Sequence, residues 1–280
     1  MKIWANTLVK NEERYIWFSV MSVIEHLDRI LIWDTGSTDN TVQIINEIRK
    51  LYPDKIDFRE FGEVDIRSFT KARQEMLAKT EADWFVIVDG DEVWWDSAIS
   101  LLVETIRKNG NRVESIVNRY SNIIGDIYHY QEEVAGMYEI DGLRGHLNIR
   151  AVNRKIKGLH FDKPHGQLGL YDKGGVLIQN RPAKERKHLG LGYLHFTNVI
   201  RSSTRQNDLY VPKRDVKFKF DLGINFPHDF YYPEVFFRPK PDIVPSPWER
   251  RSKEYKLRSY IEWPLKLIKR RIFKYERTGY

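Results

Sequence analysis

The chain has 280 residues, of which 41% are hydrophobic and 13% aromatic; that is ample for a core and excludes wholesale disorder. It contains no cysteine, which excludes disulfides, thiolate metal sites and thiol nucleophiles and fits a reducing compartment. The formal charge of +7 is concentrated at one end: between Trp248 and Tyr280 eleven Lys or Arg stand against four acids, leaving residues 1–247 formally neutral.

The first 120 residues alternate strand and helix patterns. Ile3–Val9 reads as a strand, and Tyr15–Leu27 as a helix with Ile16, Val20, Val23, Ile24 and Leu27 on one face. Arg29–Trp33 is a second strand, followed by the turn at Asp34–Asp39 and a helix over Thr41–Leu51, with Val42, Ile45 and Ile48 or Ile44 turned inward. Ile56–Phe61 reads as a third strand, Ser68–Lys79 as a helix and Trp84–Val88 as a fourth strand. Such alternation predicts an α/β fold, a mostly parallel central sheet with helices on both faces. A helix over Ile99–Lys108 and a strand over Val113–Tyr120 follow. From Ile123 the pattern turns to glycine, histidine and aromatic residues with little periodicity, as in loops laid on a rigid sheet. Six prolines between Pro227 and Pro247 separate this part from the basic tail. The expected division is 1–120, 121–247 and 248–280.

The chemistry concentrates where strands end. Trp84-Phe85-Val86-Ile87-Val88 runs into Asp89-Gly90-Asp91-Glu92, an apolar strand broken by a glycine between carboxylates. In open parallel sheets ligands bind beyond the carboxyl ends of the strands, and acids crowded there call for a cation between them. Lys10-Asn11-Glu12-Glu13 forms a polar lip after the first strand. Asp34-Thr35-Gly36-Ser37-Thr38-Asp39-Asn40-Thr41 follows the second and reads either as a turn with a helix cap or as a ligand-facing edge.

The order of Lys10–Glu13, Asp34 with Gly36–Thr41, Arg73 and Asp89–Glu92 resembles the family-2 glycosyltransferases over residues 1 to about 120. The resemblance implies the GT-A fold, a Rossmann-like sheet, here with an irregular acceptor region and a basic helical tail. It further implies a nucleotide-sugar donor, UDP-linked, held through a divalent cation, Mn²⁺ or Mg²⁺, at a DXD motif. On that reading Glu12 and the backbone near Val9 hold the base, with Asn11, Ser37 and Asp39 beside them and Asp34 on base or ribose. Arg73 reaches the base or diphosphate, Asp89 contacts the ribose or metal-bound water, and Gly90 lies beside it in the donor site. Asp91 ligates the metal, joined by His195 from Leu194-His195-Phe196, where family members often place a late histidine. Related enzymes carry a His-Glu pair near Phe161–Leu168. This chain has His165-Gly166, so that carboxylate is missing; the general base falls to Asp162, with Asp141 second, and His165 is counted with them among the catalytic residues. His146 and His160 read as packing residues.

The expected activity is inverting transfer of a sugar to a hydroxyl acceptor such as a cell-surface or lipid-linked glycan. Two other readings compete. Val86–Val93 also matches the start of haloacid-dehalogenase phosphatases, with Asp89 as nucleophile, though that motif normally opens its domain. A non-catalytic nucleotide-sugar binder is the other. The tail mixes Leu, Ile, Trp and Tyr with Lys and Arg at helical spacing, with Pro264 as a hinge. It admits a helix packed on the body or peripheral contact with an anionic membrane; nucleic acid is not expected. The N-terminus is too short and polar for a secretory signal and no apolar run approaches the ~18 residues of a membrane span. The expected location is cytoplasmic, or peripheral on the inner face of the membrane.

Overall fold

Continuous β-branched and aromatic runs bury both faces of a strand at once, and here they form the middle of one sheet. The computed structural model describes residues 1–272 apart from Tyr210 and Lys213; the last part of the basic tail, from Phe273, lies outside them. In chain order the elements begin with β1 (Ile3–Val9), α1 (Ile16–Met21), β2 (Arg29–Asp34), α2 (Thr41–Leu51), β3 (Ile56–Glu60), α3 (Ser68–Lys79) and β4 (Trp84–Ile87). Next come β5 (Glu92–Trp94), α4 (Asp96–Asn109), β6 (Ser115–Ile124), β7 (Asp126–Tyr130), β8 (Tyr138–Ile140), β9 (Leu143–Gly145) and β10 (Leu147–Asn153). The remainder is β11 (His160–Asp162), β12 (Gly169–Tyr171), β13 (Arg186–Asn198), α5 (Arg205–Leu209), α6 (Arg214–Lys217), β14 (Ile224–Asn225) and α7 (Lys253–Ile272).

Among the described residues one sheet gathers ten strands along the order β14-β7-β6-β10-β4-β1-β2-β3, with β13 and β5 joined at its side. The half formed by β3, β2, β1 and β4 is parallel. β10 then runs antiparallel between β4 and β6. Successive residues of β4 serve opposite faces: Trp84 and Val86 join the cluster under α1, α2 and α4, whereas Phe85 and Ile87 pack with Leu147, Ile149 and Leu170. This alternation on a fully buried strand explains why its sequence shows no polar stripe.

The expected helix over Tyr15–Leu27 is regular only to Met21. Ser22 Oγ donates to the Ser19 carbonyl and accepts from Trp94 N at 3.1 Å, tying this turn to β5. Val23 N and His26 N bond three residues back, so the chain tightens while Val23, Ile24 and Leu27 stay buried. The helix α7 continues through Pro264, where the sequence suggested a hinge. Contacts on both sides of the proline hold it: Tyr255 and Ser259 are buried before it, and Lys266 Nζ donates to the Phe220 carbonyl at 2.6 Å after it.

Candidate active site

β1, β2 and β4 are parallel and adjacent, so the residues following them arrive side by side at one edge of the sheet. There they open on a cleft with a solvent-accessible volume of about 190 Å³. Its walls include Val9, Lys10 and Glu12 after β1, Thr35 after β2, Arg73 from α3 and Asp89, Gly90 and Asp91 after β4. The later chain adds Arg150 from β10, His165, His195 from β13, and Arg201 and Arg214. Among the described residues five cations (Lys10, Arg73, Arg150, Arg201, Arg214) therefore face three carboxylates (Glu12, Asp89, Asp91) in a recess suited to an anion.

The turn after β4 is held from two sides. Arg73 Nη2 donates to Asp89 Oδ1 at 2.6 Å and Arg150 Nη1 to Asp89 Oδ2 at 3.3 Å. Burial alone would raise the Asp89 pKa, but the two guanidiniums outweigh it and hold the carboxyl below its ordinary value. Gly90 passes so close to β1 that a Cβ there would lie 2.9 Å from Glu12 Cγ and 3.0 Å from Val9 Cγ1, so this position has no room for a side chain. Glu92 points into the core, where Arg150 Nη2 donates to it, and Arg150 Nε donates to the Tyr193 hydroxyl at 2.8 Å.

Asp91 Oδ2 receives Arg201 Nη1 and lies 3.4 Å from His195 Nε2. Although burial would raise it, Arg201, His195 and Arg214 hold its carboxyl well below the usual range. Arg201 Nη1 also sits 3.2 Å from Glu12 Oε1, and Arg214 Nη2 is 2.5 Å from the same oxygen. Arg214 further donates to the carbonyls of Lys10 and Asn11 and to Asp208, so the segment after β13 clasps the end of β1. Burial pushes the Glu12 carboxyl up to about 8 despite the two arginines, with Asp91 and Asp208 adding repulsion. A raised folded-state value means the folded chain holds the proton more tightly. Stability from this group is complete below pH 4.5 and is lost as pH rises through about 8. Relative to Glu12→Gln, the native chain is therefore expected to lose stability between those limits and then level off, as read by denaturant unfolding at several pH values. A difference curve that is flat or rises across that window would contradict this.

The donor set around Asp91 bears on a divalent cation. Asp91 Oδ2 and His195 Nε2 converge on one space, and His195 Nδ1, buried, has no hydrogen-bond partner among the described residues. No group of three His, Cys, Asp or Glu donors is gathered among the described residues. One carboxylate and one imidazole fit a cation that draws its other ligands from substrate phosphates and water.

The other sequence candidates distribute unevenly. Asn11 Oδ1 accepts from Thr38 N at 2.7 Å, and Asn11 N donates to Ser37 Oγ at 2.8 Å, which joins the loops after β1 and β2. Asn11 itself has φ 53°, a left-handed conformation that asparagine tolerates. Asp34 accepts from Gly36 N, Ser37 N and Ser37 Oγ, and Asp39 from Thr41 N and Oγ1, so both carboxylates close their own turns and neither is part of the cleft wall. His165 lines the cleft against Phe69, ring centroids 4.3 Å apart. Asp162 and Asp141 do not reach it. Asp162 is exposed and caps Lys163 N at 2.7 Å, while Asp141, in the β8–β9 turn, is held by Arg186 and His188 at 2.6 and 2.7 Å. The sequence reading missed Arg150, Arg201 and Arg214. Arg150 had a signal, a cation inside the apolar run Leu147–Asn153; Arg201 and Arg214 lie in an ordinary polar stretch and had none.

A parallel half-sheet ordered β3-β2-β1-β4, ending in an Asp-Gly-Asp turn over a cationic cleft, defines a GT-A glycosyltransferase fold. The glycosyl transferase family 2 model matches residues 7–170, more than half the chain, and the chain belongs to that family. No curated protein matches it by sequence. Among solved structures it is similar to S. aureus TarS 1–349 in complex with UDP-GlcNAc, with 13% identity and a TM-score of 0.48 over 75% of this chain and 62% of that one. Glucosyl-3-phosphoglycerate synthase from Mycobacterium tuberculosis, in complex with Mn²⁺, UDP and phosphoglyceric acid, is also similar, with 19% identity and a TM-score of 0.38 over 68% of this chain and 69% of that one. The chain spans less than two thirds of the TarS fragment.

Proposed function

We propose that the chain transfers a sugar, with inversion, from a UDP-linked donor to a hydroxyl of a glycan or lipid-linked acceptor. The observation that carries this is the cleft itself: among the described residues five cations face three carboxylates at the carboxyl edge of β1, β2 and β4, with Asp91 and His195 3.4 Å apart among them. A nucleoside diphosphate gains negative charge as the glycosidic bond breaks, and preorganised guanidiniums stabilise such charge most where water is excluded. In this scheme Arg201 and Arg214, on the cleft wall, take the diphosphate oxygens, and Arg73 and Arg150 hold Asp89 at the ribose side. A Mn²⁺ or Mg²⁺ held by Asp91 and His195 would add Lewis-acid stabilisation of the leaving diphosphate. Neither base expected from the sequence, Asp162 or Asp141, lines the cleft; His165 does, and it takes the acceptor proton in this scheme. The phosphatase reading is disfavoured because both Asp89 oxygens face guanidiniums, which lower the nucleophilicity that an aspartyl-phosphate needs.

The test incubates the chain with Mn²⁺ and a panel of nucleotide sugars and follows nucleoside diphosphate release, with the anomeric configuration of any product read by NMR. UDP-sugar turnover that falls at least tenfold in His165→Gln, with donor affinity kept, is expected. Binding without turnover would favour a non-catalytic binder, and a retained anomeric configuration would overturn inversion.

A further inference from the structure

The helix α7 is 20 residues long and faces two ways. Its inner side is fastened to the body: Tyr255 is buried, its hydroxyl donating to the Lys219 carbonyl at 2.9 Å and its ring 5.1 Å from Phe220, and Ser259 is fully buried. Its outer side carries Leu257, Ile261, Leu265, Ile268 and Ile272 at successive spacings of three or four residues, which aligns them along one stripe. These side chains are 56–70% exposed, and Tyr260 beside them is 67% exposed. Scattered apolar residues on a surface are ordinary, but a continuous helical stripe opposite the packed face is not. Helical geometry sets Lys253 and Arg271 along one flank of the stripe and Lys269 along the other, all exposed. Of the two acids on the described helix, Glu262 is engaged by Arg258 and Lys266, leaving Glu254 in the first turn.

We propose that this outer face of α7 docks the protein on an anionic lipid bilayer, its apolar stripe entering the headgroup boundary and its flanking cations pairing with lipid phosphates. The inference goes beyond the transfer reaction and does not depend on it. Charge decides the occupant. Two copies meeting face to face about a two-fold axis would press like cations together, whereas an anionic surface complements them. No described helix is long and apolar enough to cross a membrane, so the contact lies in the plane of the interface.

Flotation of the full chain with phosphatidylcholine vesicles, with and without phosphatidylglycerol, tests this. Binding is expected only with the anionic lipid, weakened by high salt, and reduced roughly tenfold or more by Ile261→Asp with Leu265→Asp. Both positions are solvent-exposed, so the double variant is expected to keep the melting temperature of the native chain, which confirms that it folds. Equal binding of native chain and variant, or no binding to anionic vesicles, would overturn the proposal. So would a lipid-free dimer in sedimentation that the double variant dissociates, which would make the face a contact between copies. Preference for an oligonucleotide over anionic vesicles would likewise sink it.

Discussion

Asp91→Asn is expected to lower nucleoside diphosphate release by about 10²–10³-fold or more, the scale lost when one preorganised charge-stabilising group is removed from a reacting centre. The substitution keeps the size of the side chain and an acceptor for Arg201, so the fold should survive. What it removes is the negative charge that faces both Arg201 and His195. That charge holds the Arg201 guanidinium at the cleft and, with His195 Nε2 3.4 Å away, supplies the donor pair that a divalent cation would use. Losing it should also abolish any thermal stabilisation by Mn²⁺, a readout independent of turnover. A variant retaining more than half the native rate, or an undiminished Mn²⁺ shift, would remove Asp91 from the centre of the scheme.

Arg150→Met should be the most destabilising single change in the site, costing about 3–5 kcal/mol, the scale for breaking a buried ion pair by removing one partner. Glu92 has no solvent exposure, and Arg150 is 3% exposed. The arginine serves three groups at once, Glu92, Asp89 and the Tyr193 hydroxyl. Burial already pushes the Glu92 carboxyl well above its ordinary value, against the pull of Arg150, with Asp89 and Asp91 repelling it further. Without Arg150 the carboxylate would take up a proton rather than stay charged. Because the folded state then holds that proton more tightly than the unfolded chain, the loss should be smaller at pH 5 than at pH 8. Urea unfolding at the two pH values reads both the size and the slope. At pH 8 a second substitution, Glu92→Gln, should recover part of the loss, because the amide needs no proton to stay neutral. A cost under about 1 kcal/mol, or a larger loss at low pH, would show that the pair does not carry the turn.

The parallel half of the fold was legible because its information is local. Apolar runs, helical spacing and turn residues alternate through residue 109, and the helix Ser68–Lys79 matches its prediction residue for residue. Differences arose where a tertiary contact outweighed local preference. The helix after β1 ends early because Ser22 bonds to β5, and α7 passes Pro264 because its flanks are fastened to the body. The Asp34 turn shows the limit of a strand-end argument. Its position beside Val9 is as expected, yet its oxygens are consumed by Gly36 and Ser37. A residue type at the right place does not reveal whether its lone pairs are already used.

From sequence alone came the α/β class, the family resemblance, and the placing of Glu12, Arg73, Asp89 and Asp91 around one cleft, because adjacent parallel strands bring their ends together whatever follows. His195 was also named in advance, through its place after a glycine-rich run. Only the tertiary structure decided the cationic wall. Arg150 arrives on an antiparallel strand beside β4, and Arg201 and Arg214 return more than 100 residues after the Asp89–Glu92 turn to meet Asp91 and Glu12. It also took Asp162 and Asp141 out of the cleft, by spending one on its own loop and the other on Arg186 and His188. Long-range ion pairs carry no periodicity, so nothing along the chain marks which arginine of many will meet which carboxylate until the sheet has set their distance.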